Sequence, residues 1–304
     1  METLVLPFND NSVAEAARLI LAGEPVAVPT ETVYGLAADA TNAEAVARIY
    51  EAKGRPSFNP LIVHVPDLAA AQQIGEFSDE ALALAKQYWP GPLTLVVPLR
   101  SGSPVASLVT AGLPTVGIRV PDHSAMQSLL RRIGRPLAAP SANASGAISP
   151  TRAEHVLKSL GGRIRLIIDG GSTKRGIEST IVAATGGPVR LLRRGPVEVV
   201  AEATSGSTIE APGQLASHYA PSKPLRLGAI SAEAGEYLIG FGPIEGDASL
   251  SRSGNLIEAA SRLFDLLHRA DESSSSKIAV APISETGLGA AINDRLYRAA
   301  ADRH

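Results

Sequence analysis

Thr30 and Thr32 follow a short apolar run, and their hydroxyls could orient a small polar substrate. The run covers residues 25–28 and reads as a strand. Ligands of open α/β sheets bind at the carboxyl ends of strands, which is where both threonines lie. The alternative is an ordinary turn in which threonine side chains bond their own backbone. These residues alone do not separate the two interpretations.

Lys53 and Arg55 flank Gly54, where a predicted helix ends. Two cations at a tight turn could hold a polyphosphate, because arginine offers a planar fork of donors and lysine a point charge. Cations also favour helix C-termini without any ligand, since they offset the helix dipole. Taken alone, the pair fits the structural explanation better than the phosphate clamp.

His64 and Arg119 lie within two predicted strands, Leu61–Val65 and Thr115–Val120. A histidine in mid-strand is usually a packing residue, although its imidazole could also bond a substrate amine or hydroxyl. An inward-facing arginine needs a carboxylate or phosphate partner. The sequence offers no Asp or Glu at an obvious facing position, so we expect a ligand carboxylate to pair with Arg119.

Helical periodicity alternates with apolar strand-like runs along the chain. Ser/Thr-x-x-Glu capping boxes at Ser12, Thr41 and Thr151, and a cap at Ser78, predict helix starts. The alternation predicts an α/β fold with an open, twisted, mixed sheet over residues 1–203. Residues 204–224 are rich in Gly, Ser, Pro and Ala and read as a linker. A small α/β domain, Rossmann-like in its alternation, follows at 225–304.

The composition of the chain excludes several kinds of site and argues against others. The chain has 304 residues and no cysteine, which excludes disulfides, cysteine nucleophiles and thiolate zinc sites. No Walker A motif or dinucleotide fingerprint is present, and six scattered histidines do not suggest zinc. The net charge of −2 argues against a broad basic surface for nucleic acid. We expect a cytoplasmic protein, with no apparent signal peptide and no membrane span.

Six motifs follow one another along the chain: Pro29–Gly35, Ala52–Pro56, Asn59–His64, Trp89–Thr94, Pro114–Pro121 and Ala139–Asn143. Together they resemble the threonylcarbamoyl-AMP synthase family, which is built on a YrdC-like domain. Two further motifs, His218–Pro221 and Asp294–Leu296, resemble those of the long two-domain form. The resemblance covers essentially the whole chain.

The resemblance implies that L-threonine, bicarbonate and ATP react to threonylcarbamoyl-AMP and pyrophosphate, without a covalent nucleophile. It implies that Lys53 and Arg55 stabilise the negative charge of the reaction. It also implies one group of residues that binds L-threonine and one that binds ATP. The predicted L-threonine residues are Thr32, His64, Arg119, Ala139 and Ser179. The predicted ATP residues are Lys53, Arg55, Asn59, Thr115, Ser141, Asn143, Ser149, Arg193 and Tyr219, with Tyr219 in a lid formed by the linker.

The resemblance also implies partners beyond the substrates. Mg²⁺ would arrive with ATP and not on protein side chains. Other enzymes, the tRNA threonylcarbamoyl transferase machinery, would move the product onto an adenosine of tRNAs reading ANN codons. The resemblance allows weak binding of tRNA or double-stranded RNA, and a non-enzymatic RNA-binding module with this fold is the alternative interpretation. The low net charge counts against that alternative.

Overall fold

A computed structural model describes residues 1–203, 210–214 and 217–301. Eleven strands form one large mixed sheet. In chain order they are β1 Leu4–Pro7, β2 Val26–Pro29, β3 Tyr34–Asp39, β4 Ile62–His64, β5 Leu93–Pro98, β6 Thr115–Arg119, β7 Leu137–Ala138, β8 Leu166–Asp169, β9 Thr180–Ala183, β10 Arg190–Arg193 and β11 Glu202–Ala203. Helices α1 Asp10–Leu21, α2 Ala43–Lys53, α3 Leu68–Gln72, α4 Asp79–Tyr88, α5 Ser107–Thr110, α6 Ser124–Ile133 and α7 Ala153–Leu160 connect them.

The strand order across the large sheet is β1-β8-β2-β3-β7-β4-β6-β5-β9-β10-β11. Parallel and antiparallel pairs both occur, as expected for a mixed sheet. Strands β4 and β6 are parallel, and their register sets His64 directly opposite Arg119. Two residues that are far apart in sequence therefore meet at one edge of the sheet, beside the hairpin that joins β2 to β3.

A second, parallel sheet follows in the C-terminal part, with the order β12-β15-β13-β14. Its elements are β12 Leu225–Leu227, β13 Glu236–Gly240, β14 Ala248–Ser249, α8 Leu256–Glu272, β15 Lys277–Val280 and α9 Leu288–Ala300. The two sheets confirm the predicted α/β fold class. The division at residues 203 and 225 stays a prediction, and residues 204–209 and 215–216 of the predicted linker lie outside the described part of the chain.

The two parts share one hydrophobic cluster. Val33, Ile148 and Ile177, which belong to the part with the large sheet, are buried with Tyr219 and with Phe264 of α8. Apolar area is removed from water only where both parts are present, so this cluster fixes them against each other.

Three of the four predicted helix starts are wrong by one to three residues. Asn9 caps α1 and Ser12 completes its capping box from the third helical position. Asn42, not Thr41, caps α2, and α7 begins after Arg152 without a side-chain cap. Asn is as good a cap as Ser or Thr, so a box motif next to an Asn fits more than one register. The cap at Ser78 is confirmed.

Strands β1, β3, β11 and β14 occur where no strand was predicted. The sequence of β3, YGLAAD, is rich in residues with low strand propensity, and pairing with β2 and β7 outweighs that propensity. This hairpin brings residues 30–33 to the sheet edge that holds His64 and Arg119.

Candidate active site

A small cavity of about 50 Å³ lies at this sheet edge. Nine of the predicted substrate residues line it: Thr32, Arg55, His64, Arg119, Ala139, Ser141, Ser179, Arg193 and Tyr219. They come from strand ends and loops that are spread over most of the chain. Five further predicted residues, all in the described part of the chain, lie outside this lining: Lys53, Asn59, Thr115, Asn143 and Ser149.

The two threonines of the hairpin have different roles. The Thr30 hydroxyl donates to the Val33 carbonyl at 2.7 Å and accepts from the Thr32 amide at 3.2 Å, so it serves the turn itself. The Thr32 hydroxyl accepts a bond from Arg119 Nη1 at 2.9 Å. Both threonines line the cavity, but the Thr30 hydroxyl is used by the turn, while the Thr32 hydroxyl is bonded to Arg119.

Arg119 has a protein carboxylate beside it, contrary to the sequence-based expectation. Its Nη2 lies 2.6 Å from Glu31 Oε1, and both side chains are almost completely buried. Nε of Arg119 donates to the Gly91 carbonyl at 3.2 Å. The hairpin brings Glu31 across from β6, a placement that no local pattern predicts. These contacts orient the guanidinium and leave part of its donor set for a ligand.

His64 is buried in the cavity wall as a neutral imidazole. Desolvation, with a further contribution from the Arg119 charge, lowers the pKa of His64 to about 3. Its Nδ1 lies 3.3 Å from the Ile62 carbonyl oxygen. If that contact is a hydrogen bond with Nδ1 as the donor, Nε2 carries the free lone pair. A neutral ring can accept a hydrogen bond without adding charge to this already basic site.

Arg55 and Arg193 are buried cations beside the cavity. Arg55 donates to the carbonyls of Asn59 and Pro60, and Arg193 to Ser179 and Pro212. Within the described residues neither makes an ion pair with a carboxylate. Burial lowers the pKa of Arg55 to about 10 and lowers that of Arg193 as well, yet both stay charged near neutrality. Buried positive charge without a partner is costly, and an anionic ligand would relieve that cost.

Lys53 supports the loop after β7 and is not on the cavity surface. Its Nζ donates to the backbone carbonyls of Ser141 and Asn143. Burial, with repulsion from Arg55, lowers the pKa of Lys53 well below its usual range. These contacts hold the Ser141 loop against the end of α2. The predicted phosphate contact of Lys53 stays a prediction.

Of the other predicted residues, one lines the cavity and four do not. Ser179 faces the cavity, with its hydroxyl 2.8 Å from Thr94 Oγ1 and 3.0 Å from Arg193 Nη2. Thr115 begins β6, about 13 Å along the strand from Arg119 at the other end. The side chains of Asn59 and Asn143 are buried beneath the site, and each leaves its amide oxygen without a described donor. Ser149 donates to Glu178.

The wall opposite the sheet edge is formed by Pro212, Gly213, His218 and Tyr219. Tyr219 has a backbone φ of 64°, a left-handed conformation that is rare outside glycine. Its buried phenol oxygen has no described hydrogen-bond partner. Such strain at a cavity is typical of functional segments. The sequence predicted a role for Tyr219, but it did not predict Pro212 or Gly213.

Two carboxylates of the site were missed by sequence reasoning. Glu31 belongs to the motif Pro29–Gly35 and Glu178 directly precedes the predicted threonine residue Ser179, yet neither glutamate received a role. Glu178 lines the cavity and is 6% exposed. In the sequence, each of these glutamates is simply a charged residue between two strand-like segments. That pattern indicates a buried carboxylate only when the cation that pairs with it is already known.

Comparisons with known proteins agree on one family. Residues 18–195 match the family model described as "Telomere recombination", and residues 173–301 match the model for the C-terminal domain of threonylcarbamoyl-AMP synthase. The threonylcarbamoyl-AMP synthase of Bacillus subtilis is 40% identical, and the alignment covers 98% of this chain and 95% of the relative. The chain belongs to the threonylcarbamoyl-AMP synthase family.

Solved structures support this assignment. The crystal structure of Pyrococcus abyssi Sua5 complexed with L-threonine has a TM-score of 0.90 at 36% identity, with 98% of each chain covered. The Pyrococcus abyssi synthase sequence is 39% identical over 95% of this chain and 94% of its own length. Escherichia coli YciO, at 22% identity and a TM-score of 0.59, is similar in fold alone. The family confirms the predicted resemblance and favours the enzyme over the RNA-binding alternative.

Among the described residues, no helix is long and apolar enough to span a bilayer.

Proposed function

We propose that this chain is a nucleotidyltransferase that forms threonylcarbamoyl-AMP and pyrophosphate from L-threonine, bicarbonate and ATP. The observation that carries the proposal is the cavity, which is lined by Arg119, a group that can bind a carboxylate, and by Arg55 and Arg193, two buried cations with no carboxylate partner among the described residues. A neutral amino-acid pocket would not need Arg55 and Arg193, and a simple anion site would not need His64 and Thr32. Membership of the family gives the reaction that fits both halves.

In the threonine half, Arg119 binds the substrate carboxylate through the donors that Glu31 and Thr32 leave free. His64, neutral at physiological pH, and the Ser179 hydroxyl bond the polar groups of the substrate, and the Ala139 backbone lies beside them. The amino group must lose its proton before it can attack the carbon of bicarbonate or carbon dioxide. A pocket that is already positively charged favours the neutral amine over the ammonium ion.

In the ATP half, Arg55 and Arg193 face the phosphates, and Ser141 and Tyr219 contact the nucleotide. The loop that Lys53 supports presents Ser141 and Asn143. Mg²⁺ arrives with the triphosphate. Among the described residues no cluster of three or more His, Cys, Asp or Glu side chains could hold a metal ion. The bound ion supplies charge neutralisation at the phosphates, as it does in other phosphoryl and nucleotidyl transfers.

The chemistry requires positioning more than covalent help. The amine and bicarbonate give a carbamate and water, and a carbamate oxygen then attacks the α-phosphate while pyrophosphate leaves. Holding both reactants in line and stabilising the departing charge supply most of the rate enhancement in such reactions. Because the cavity is small, the wall with Gly213 and Tyr219 must open to admit ATP and close again before reaction. Other enzymes then transfer the threonylcarbamoyl group to tRNA.

The decisive experiment measures pyrophosphate release from MgATP. We expect release only when L-threonine and bicarbonate are both present. Arg55→Ala should lower kcat/KM for ATP by about a hundredfold, since it removes a charged contact to the phosphates. Arg18→Ala, which removes an exposed ion pair on α1, is the control and should leave the rate unchanged. Pyrophosphate release that ignores threonine would contradict the proposal. Tight, salt-dependent RNA binding without any such release would favour the RNA-binding module.

A further inference from the structure

Arg295 of α9 is a fully buried cation that reaches the cavity wall from the C-terminal part. It is 0% exposed, and its Nε donates to Glu178 Oε2 at 3.0 Å. Nη1 donates to the Arg194 carbonyl at 2.6 Å and to Asp294 Oδ2 at 3.0 Å. These contacts tie the last helix to the residues just before β9 and just after β10, at the edge of the site.

Glu178 connects Arg295 to the cavity. It lines the cavity, and its Oε1 accepts a bond from the buried Ser149 hydroxyl. Ser149 receives a second contact from the C-terminal part, because its carbonyl oxygen lies 3.2 Å from Nε2 of His268 on α8. The position of Ser149 is therefore set from two sides, by Glu178, 29 positions away in sequence, and by His268, 119 positions away.

Arg295 also holds Tyr219. Its guanidinium carbon lies 5.6 Å from the centre of the Tyr219 ring, within cation–π distance, and Phe264 of α8 packs against the same ring at 5.6 Å. The left-handed backbone of Tyr219 is unfavourable by itself. Packing against Arg295 and Phe264 gives a physical reason why this conformation persists.

We propose that Arg295 is a positioning residue for the ATP half of the active site. Through Glu178 it orients Ser149, and through its guanidinium face it holds Tyr219, so that the C-terminal part completes the nucleotide site. This inference rests on the proposed function for the meaning of that half. We assign its effect to the ATP half, because its contacts run to Glu178 and Tyr219, and none reaches Thr32, His64 or Arg119 of the threonine half.

The test compares initial rates against ATP and against threonine for Arg295→Lys and Arg295→Met. The expected result is an increase in KM for ATP of about tenfold, the effect of one lost charged hydrogen bond, with KM for threonine within about twofold of the wild type. Arg295→Lys keeps the charge but loses the fork, and should lie between the wild type and Arg295→Met. Arg262→Ala, which removes a surface ion pair on α8, is the matched control.

A purely structural role would raise both KM values or lower kcat alone. Because Arg295→Met leaves Glu178 buried without its partner, that variant is paired with Glu178→Gln/Arg295→Met, which removes both charges and lessens the cost to folding. In addition, Ser149→Ala should have little further effect on ATP binding once Arg295 is replaced. Additive effects of the two substitutions would overturn the link through Glu178.

Equal changes for ATP and threonine in both folded variants would overturn the inference. The proposed function is tested first, on the wild-type protein. A failure of the inference about Arg295 can therefore be distinguished from a failure of the proposed function. Calorimetric titration with MgATP gives the same comparison without turnover. Weaker ATP binding by the folded double variant supports the inference, and unchanged binding overturns it.

Discussion

At the scale of single residues, the Glu31–Arg119 ion pair decides how the cavity presents its guanidinium. We predict that Glu31→Ala raises KM for threonine by about tenfold or more, because loss of a buried partner frees Arg119 to change orientation. Glu31→Gln keeps an acceptor in the same place and should have a smaller effect. The measurement is pyrophosphate release against threonine concentration.

The control for this prediction is Glu15→Ala, which removes a carboxylate from an exposed pair with Arg18. Exposed pairs contribute little, so its kinetics should match the wild type. A folded Glu31→Ala protein with an unchanged KM for threonine would show that Arg119 is held without Glu31.

A second residue-scale prediction concerns Gly213, where the cavity wall approaches Tyr219. A Cβ at Gly213 would lie 2.8 Å from the Tyr219 phenol oxygen, and the backbone φ there is 87°. We predict that Gly213→Ala displaces Tyr219 and raises KM for ATP by about tenfold. Gly228→Ala is a matched control, since Gly228 also has a left-handed backbone but no atom within 4 Å of the new Cβ.

Both alanines carry the same kind of backbone penalty, on the order of 1 kcal/mol. Only the substitution at Gly213 adds a clash within the cavity. Equal KM values for ATP in the two variants would show that backbone strain, and not the contact with Tyr219, accounts for the change. Such a result would contradict the role of this wall.

At the scale of elements, two stacked histidines join α7 to α8. The rings of His155 and His268 are 3.9 Å apart at their centres, with Asp265 of α8 3.7 Å from His155 Nε2. Desolvation, followed by the repulsion that a protonated His268 would exert and by the charges of nearby Arg152, Lys158 and Arg269, lowers the pKa of His155 to about 3. The pKa of His268 is lowered too, mainly by burial. The contact is therefore built from two neutral rings.

This arrangement predicts that acid weakens the fold. A histidine whose pKa is lowered on folding stabilises the folded state above its unfolded pKa near 6.5 and loses that contribution as the pH falls towards 3. We expect His155 alone to lower the free energy of unfolding by on the order of 1 kcal/mol between pH 7 and pH 5, with a further fall in the same direction from His268. Urea unfolding at the two pH values measures it. His155→Phe, which cannot take up a proton, should show a smaller fall, and an equal fall would contradict the assignment.

At the scale of the whole molecule, the shared hydrophobic cluster couples the two sheets. Ile177 is fully buried with residues of α8 and α9, so the C-terminal part cannot separate without exposing it. We predict that the full chain unfolds in one cooperative transition. Ile177→Ala should lower the free energy of unfolding by about 2–4 kcal/mol and move that whole transition.

The control is Ile230→Ala, because Ile230 is 77% exposed. A calorimetric scan with two separated transitions, of which Ile177→Ala shifts only one, would show that the parts fold independently. A single transition also fits the way Arg295 reaches the cavity from the C-terminal part.

Much of the fold and part of the site could be predicted because the determining interactions are local. The predicted helix at Ser78 follows from a side chain and an amide three positions apart. Alternation along Leu61–Val65 placed His64 on the face opposite the apolar stripe, and the structure has it there. Motif order along the chain identified the family and nine residues that line the cavity.

Contacts between distant residues decided the rest. Strand β3 forms because β2 and β7 pair with it, against its own low strand propensity. The Glu31 partner of Arg119, the carbonyls that bind Lys53 and the reach of Arg295 to Glu178 each join residues that lie 88 to 117 positions apart. Such pairs leave no periodic or local signal, since their energy arises only once the chain has closed the intervening loops. The sequence by itself thus determined which residues could do chemistry, and the tertiary structure decided which of them meet.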